Sequence, residues 1–263
     1  MSRRSDAGAA FPPHLSDSAG QPWAGRHFEE NASSVDDGSA PAELDAALRA
    51  FAAGAVSARS VVDAARDSRF LIPLVAHSGE EGENEHGVRI DKKQELSIVT
   101  VAGPDGRDVL PVFTSVSAMA RWNPKARPVP ADGRRVALAA AHESTEVVVI
   151  DAVSDHEFAI RRPALWAMAQ GEPWIPPFED DAVIAVFRAS VAVEVAVTAI
   201  VLESADPRQQ LRAPETAVVL TLVGGLDREA LGALLARLGE RWAADEIIAA
   251  RVDSLTVRPV AAR

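Results

Sequence analysis

The sequence predicts an α+β protein. A mixed or antiparallel sheet with flanking helices forms an N-terminal domain, and a small αββαβ domain follows it. Three observations predict this. Glu95–Val101 and Asp108–Thr114 read as strands joined across Pro104-Asp105-Gly106, which has turn chemistry at each position. EVVVID, residues 146–151, is a short apolar run with the signature of a buried strand. After Asp181 the pattern becomes helix, two β-branched runs, a leucine-striped helix and a last alternating segment.

Taken in order, residues 1–40 are rich in Ser, Gly, Ala, Pro and Asp, without apolar periodicity, and are expected to be a disordered leader. The first domain is expected over 41–178. Pro41 suits a first helical turn, Leu44, Ala47, Leu48 and Phe51 keep helical spacing, and Gly54 stops the helix. Ser57 caps a second helix with Val61, Val62 and Ala65 inward. RFLIPLVA, 69–76, reads as a strand whose Pro73 calls for an edge or a bulge. The acidic stretch 77–94 fails the calcium-loop register, because His86 and Lys92 stand where glycine and the bidentate glutamate belong. It is expected to be a solvated loop.

The second hairpin strand runs into Thr114-Ser115 and a helical pattern, Val116–Trp122, stopped by Asn123-Pro124. PKARPVPADG, 124–133, is expected to be a proline-rich connector, and Arg134–His142 a helix. Asp155–Ile160 should pair with the 146–151 strand across a turn at 152–154. Pro163 opens a helix that Gly171 ends, with Arg161-Arg162 expected as its solvated start. Trp174–Pro177 reads as a linker to a second domain at 181–263. There, Val195–Glu203 and Thr216–Val223 flank a polar turn around Pro207. Asp227 caps a helix striped by Leu231, Leu234, Leu235 and Leu238, and Arg251–Val260 ends the chain as a strand.

Composition narrows the function classes. The chain has 263 residues, no cysteine and a formal net charge of -11. Thiol catalysis and disulfides are excluded. No basic island supplies the footprint of nucleic-acid binding. No apolar run is long enough for a transmembrane helix, and no apolar h-region marks a signal peptide.

The joint Thr114-Ser115 and its following helix are the candidate site. Strand ends feeding helix starts often hold ligands, and they are also ordinary joints of α+β domains. Thr114, Ser115 and Trp122 are the candidate binding residues; as the bland alternative, Ser115 caps the helix and Trp122 closes the core. Thr114 or Ser115 with His142 and Asp151 is the one trio that catalysis would use, but no G-x-S-x-G elbow surrounds Ser115. His142-Glu143 lacks the second histidine of a zinc helix, and Gly224-Gly225 lacks a phosphate-loop lysine. No metal and no cofactor are expected.

LDAALRA, RFLIPLVA, LPVFTSVSAMARWNPKARPVP, VVVIDAV and RPALWAMAQGEPWIPP together resemble the SseB family of the enhanced-serine-sensitivity type, in its actinobacterial form. The resemblance spans about residues 42–180 and is most specific over Phe113–Pro130. The segment after 180 is similar to the family's second domain. The resemblance implies a cytoplasmic protein without established catalytic residues. The expectation is therefore a non-enzymatic interaction or regulatory module with an unidentified protein partner, no nucleic acid and no membrane. The alternative is a small-molecule sensor, with an amino acid bound near Thr114–Trp122. The sequence leaves the oligomeric state open.

Overall fold

The order of elements follows from where apolar periodicity starts and stops. In the computed structural model, which describes residues 36–77, 82–83, 89–90, 95–142 and 145–262, the chain begins with α1 (Ala42–Ala52) and α2 (Ala58–Arg66). Strands β1 (Arg69–His77), β2 (Gly82–Glu83), β3 (Arg89–Ile90), β4 (Glu95–Ile98), β5 (Val101–Ala102) and β6 (Asp108–Val112) follow. Then come α3 (Val116–Trp122), β7 (Arg127–Asp132), α4 (Gly133–His142), β8 (Val147–Ile150), β9 (Phe158–Arg161) and α5 (Arg162–Gln170). The last elements are α6 (Asp181–Val191), β10 (Val197–Ser204), β11 (Thr216–Leu222), α7 (Arg228–Ala243), α8 (Glu246–Arg251) and β12 (Leu255–Ala261). Residues 1–35 of the expected leader and much of the acidic loop lie outside the described residues; the end of that leader is corrected, because the Gly38 carbonyl accepts from Val116 N–H at 3.0 Å and holds it on the fold. Within that loop, β2 and β3 form a two-residue antiparallel ladder.

The α+β class holds. One sheet has the order β5-β6-β8-β9; β6 and β8 run parallel and the other pairs antiparallel. A second has the order β4-β1-β7, joined to the first by a bridge between Leu71 and Phe113. The third, β10-β11-β12, is antiparallel then parallel.

The expected first hairpin strand, Glu95–Val101, is broken in two. Its start pairs with β1 and its end with β6. The connector 124–133 is also corrected: it contains β7, which pairs with β1 from Arg69↔Asp132 to Leu74↔Arg127. Two prolines concealed it. Leu71 spends its N–H and C=O on Phe113, away from β7. Pro130 and Pro128, opposite Leu71 and Pro73, therefore direct their ring nitrogens to the outer edge, where no described strand needs a donor. Pro73 follows the same parity. It sits where the neighbour of β1 changes from Phe113 to β4, so its missing N–H breaks no ladder.

From Gly38 onward the chain is one compact unit. Its interior is built from several apolar clusters. Leu44, Leu48, Val61, Phe70, Val136, Val148, Ile150, Leu165, Met168 and Trp174 belong to the first large one, between the sheets and α1, α2, α4 and α5. Val183, Phe187, Leu220, Leu234, Leu238 and Trp242 belong to the second, between β10-β11-β12 and α6 to α8. The chain passes from the first of these clusters at Trp174 to the second at Val183 within the one unit. Gly133 lets α4 start against the end of α2, since a Cβ there would collide with the Ala65 carbonyl.

The turn around Pro207 is not a free polar turn. Residues 205–215 lie back on the N-terminal sheet. Leu211 is buried with Val109, Val147, Val149 and Ala159, so both faces of β8 are covered. Gln209 carbonyl accepts from Ala159 N–H at 2.7 Å, extending the edge of β9. The final strand also starts later than expected, because Asp245 caps the short α8 through the N–H groups of Ile247 and Ile248.

Candidate binding site

The site begins where β6 ends. Thr114 is 3% exposed, and both its N–H and its Oγ1–H donate to the Asp151 carboxylate, at 2.8 and 2.6 Å. Asp151 follows β8 with φ 49°, and its own N–H donates to the Val112 carbonyl. The parallel strands β6 and β8 are thus tied just beyond their ends. Burial pushes the Asp151 carboxyl up from its ordinary range, while the two Thr114 bonds and nearby Arg121 oppose that shift.

Ser115 caps α3. Its Oγ accepts from Ala118 N–H at 3.1 Å and lies 3.0 Å from Ser117 Oγ. The hydroxyl that meets a carboxylate therefore belongs to buried Thr114, while that of Ser115 is spent on the helix. His142 is exposed at the end of α4.

Trp122 is half-buried. Its ring packs on Phe113 with centroids 5.3 Å apart. It also lines a cleft of about 220 Å3 with Val101, Val109, Pro111, Val149 and Leu211. Glu157 is a charged lining residue, and its carboxylate accepts from Val153 N–H at 2.9 Å. Leu211 reaches the cleft through a backbone with φ 57°, held by its N–H to Asp206 at 2.8 Å. The structure thus brings Trp122 to a cleft and leaves Thr114 and Ser115 in the joint beneath.

Beside the cleft is a buried ionic cluster that sequence reasoning missed. Arg161 is 2% exposed, which overturns the solvated helix start expected for it. Its guanidinium donates to Asp206 at 2.7 Å, to Ala213 carbonyl at 2.9 Å and to Asp253 at 3.2 Å. Arg107 makes a two-pronged contact with the same Asp253, at 3.0 and 3.1 Å. Despite burial, Arg107 and Arg161 hold the Asp253 carboxyl below its ordinary range. Glu215, 1% exposed, accepts from Asp253 N–H at 2.8 Å; burial pushes its carboxyl up to about 7. The signal was an arginine ending the apolar strand FAIR, with a helix-opening proline two residues later.

Among the described residues no group of histidine and carboxylate side chains is arranged to hold a metal ion. No helix among them is long and apolar enough to cross a membrane. Residues 44–167 match the family model described as SseB protein N-terminal domain. No curated protein and no solved structure matches the chain.

Proposed function

We propose, from the premise that this chain belongs to the SseB family through its N-terminal domain at 44–167, that it is a non-enzymatic, cytoplasmic protein-interaction module. It takes an apolar side chain of a protein partner into the Trp122 cleft. One observation carries this reading: the cleft is lined mainly by apolar side chains, with Glu157 its charged residue and one Glu157 carboxylate oxygen held by Val153 N–H. An apolar pocket with an aromatic wall is the usual anchor point of a protein contact. A free amino acid brings a carboxylate and an ammonium, and lining residues offer no cation for the first. That weighs against the amino-acid sensor as the occupant of this cleft. The non-enzymatic part rests on the joint: Thr114 is buried, and Ser115 is committed to its cap.

The test compares free amino acids with their capped forms. Thermal shift of the full chain is measured with free leucine and phenylalanine and with their N-acetyl amides. A ligand of the native state raises the melting temperature. The capped forms should raise it and Trp122→Ala should abolish the effect. A free amino acid that stabilises more than its capped amide would replace this reading with the sensor.

A further inference from the structure

A second surface lies on α5, away from the Trp122 cleft. Trp166 is 47% exposed, on the helix whose buried side carries Ala164, Leu165 and Met168. Arg162 stacks over its ring, 5.2 Å from the centroid. The Gln170 side-chain amide donates to the Trp166 carbonyl at 3.2 Å. The Arg162 cation over its face braces the ring, while the Gln170 bond holds only the helix carbonyl. It forms one wall of an open groove of about 480 Å3, shared with Pro163, Pro173, Trp174 and Ile175. Trp174 is 7% exposed, and Ile175 is 40% exposed.

We propose that this groove binds a proline-rich segment of a partner protein, in polyproline II conformation and flanked by a basic residue. Three features select that occupant. The lining is aromatic and prolyl, the surface on which proline rings pack with little loss of freedom. A polyproline II strand has no internal hydrogen bonds, so its carbonyls need donors; an amphipathic helix has already used its own. Trp166 supplies one, because its indole N–H donates to no acceptor among the described residues. Arg251, at the groove, gives one N–H to Asp180 at 2.8 Å and keeps others. Glu172 stands exposed at the rim with no ion pair among the described residues, on a chain of net charge -11. It suits a flanking arginine or lysine.

The experiment is a fluorescence-anisotropy titration of the full chain with a labelled decaproline bearing one terminal arginine. The control is a glycine–serine peptide with the same arginine. The decaproline should bind saturably, with Kd on the order of 10–1000 μM, and the control at least about tenfold more weakly. Trp166→Ala should weaken binding about tenfold or more and Trp166→Phe less than Trp166→Ala; Glu172→Lys should weaken binding of this decaproline and leave that of a decaproline without the arginine unchanged. Trp122→Ala should leave this binding intact, so failure here is separable from failure at the cleft. Trp166 is half exposed, and an unchanged melting temperature shows that its variants fold. Equal affinity for the control peptide, or full affinity in Trp166→Ala, overturns the proposal.

Discussion

Arg161 and Asp206 meet at 2.7 Å with side chains only 2% and 5% exposed. Arg161 ends β9, and Asp206 opens the segment that lies across the sheet. The pair therefore joins the part of the chain before the expected linker to the part after it. Two more carboxylates, Asp253 and Glu215, and a second arginine, Arg107, complete the cluster. The four central charges of Arg107, Arg161, Asp206 and Asp253 balance; Asp105 pairs with Arg107 from outside at 2.8 Å, and buried Glu215 adds a further carboxyl.

Removing Arg161 leaves Asp206 without its charge partner in a buried site. Such a change costs far more than the net worth of the pair. Arg161→Met, which keeps most of the side-chain volume, should destabilise the chain by about 3–5 kcal/mol in urea denaturation. A loss under about 1 kcal/mol would mean that water reaches the carboxylates and that the cluster is not a clasp.

The same cluster predicts what cleavage between the two large cores does. A protease site inserted after Phe178 cuts covalent continuity but leaves Leu211 against Val149 and Arg161 on Asp206 and Asp253. The nicked pieces should elute together in size exclusion. They should part when Arg161→Met is added. Separate elution of the pieces in the unsubstituted chain would show that the 205–215 segment adds little holding energy.

Glu215 sets a pH dependence. Its carboxyl goes from about 4.5 unfolded to about 7 folded. Between those values the folded chain holds a proton that the unfolded chain has released. Stability is therefore fully present below pH 4.5 and falls as pH rises through 7, by roughly 3 kcal/mol. Asp151, also raised by burial, acts in the same direction. Asp253 is lowered, so its contribution is lost only as pH falls below the ordinary aspartate range, outside this window. Glu215→Gln imitates the protonated form. It should match the parent at pH 4 and exceed it at pH 8 in urea denaturation. Equal stability of parent and variant at pH 8 would show that Glu215 ionises in the fold without cost.

Local chemistry was legible; long-range covering was not. Asp227, Ser115 and Gly171 announced their helix ends because each cap acts on its own backbone neighbours. The strand Val147–Ile150 was legible because all four residues are buried. It stayed hidden that Val147 and Val149 face a different partner from Val148 and Ile150. That partner, Leu211, lies about sixty residues away and enters with a positive φ that its residue type does not signal. Arg161 was misread for the same reason. An arginine beside a helix start reads as solvated until its partners arrive from 206, 213, 253 and 254.

The joint at Thr114 separates framework from binding surface. Thr114→Val removes the Oγ1–H that Asp151 accepts and leaves a buried carboxylate one donor short. It should cost about 1–3 kcal/mol. Ser115→Ala loses only the cap bond to Ala118 and should cost about 1 kcal/mol. Trp122→Ala loses the contact with Phe113, but the ring is half-buried, so the cost should be roughly 2 kcal/mol, short of a fully buried tryptophan. Binding should divide differently. Thr114→Val and Ser115→Ala act below the cleft and should leave binding of an N-acetyl amide unchanged once the protein is folded. Trp122→Ala removes a wall and should abolish it. Thermal melts give the first set of values, and amide titrations of the folded variants give the second. If Ser115→Ala abolishes binding while Trp122→Ala spares it, the ligand sits on the joint, and the apolar cleft is not the site.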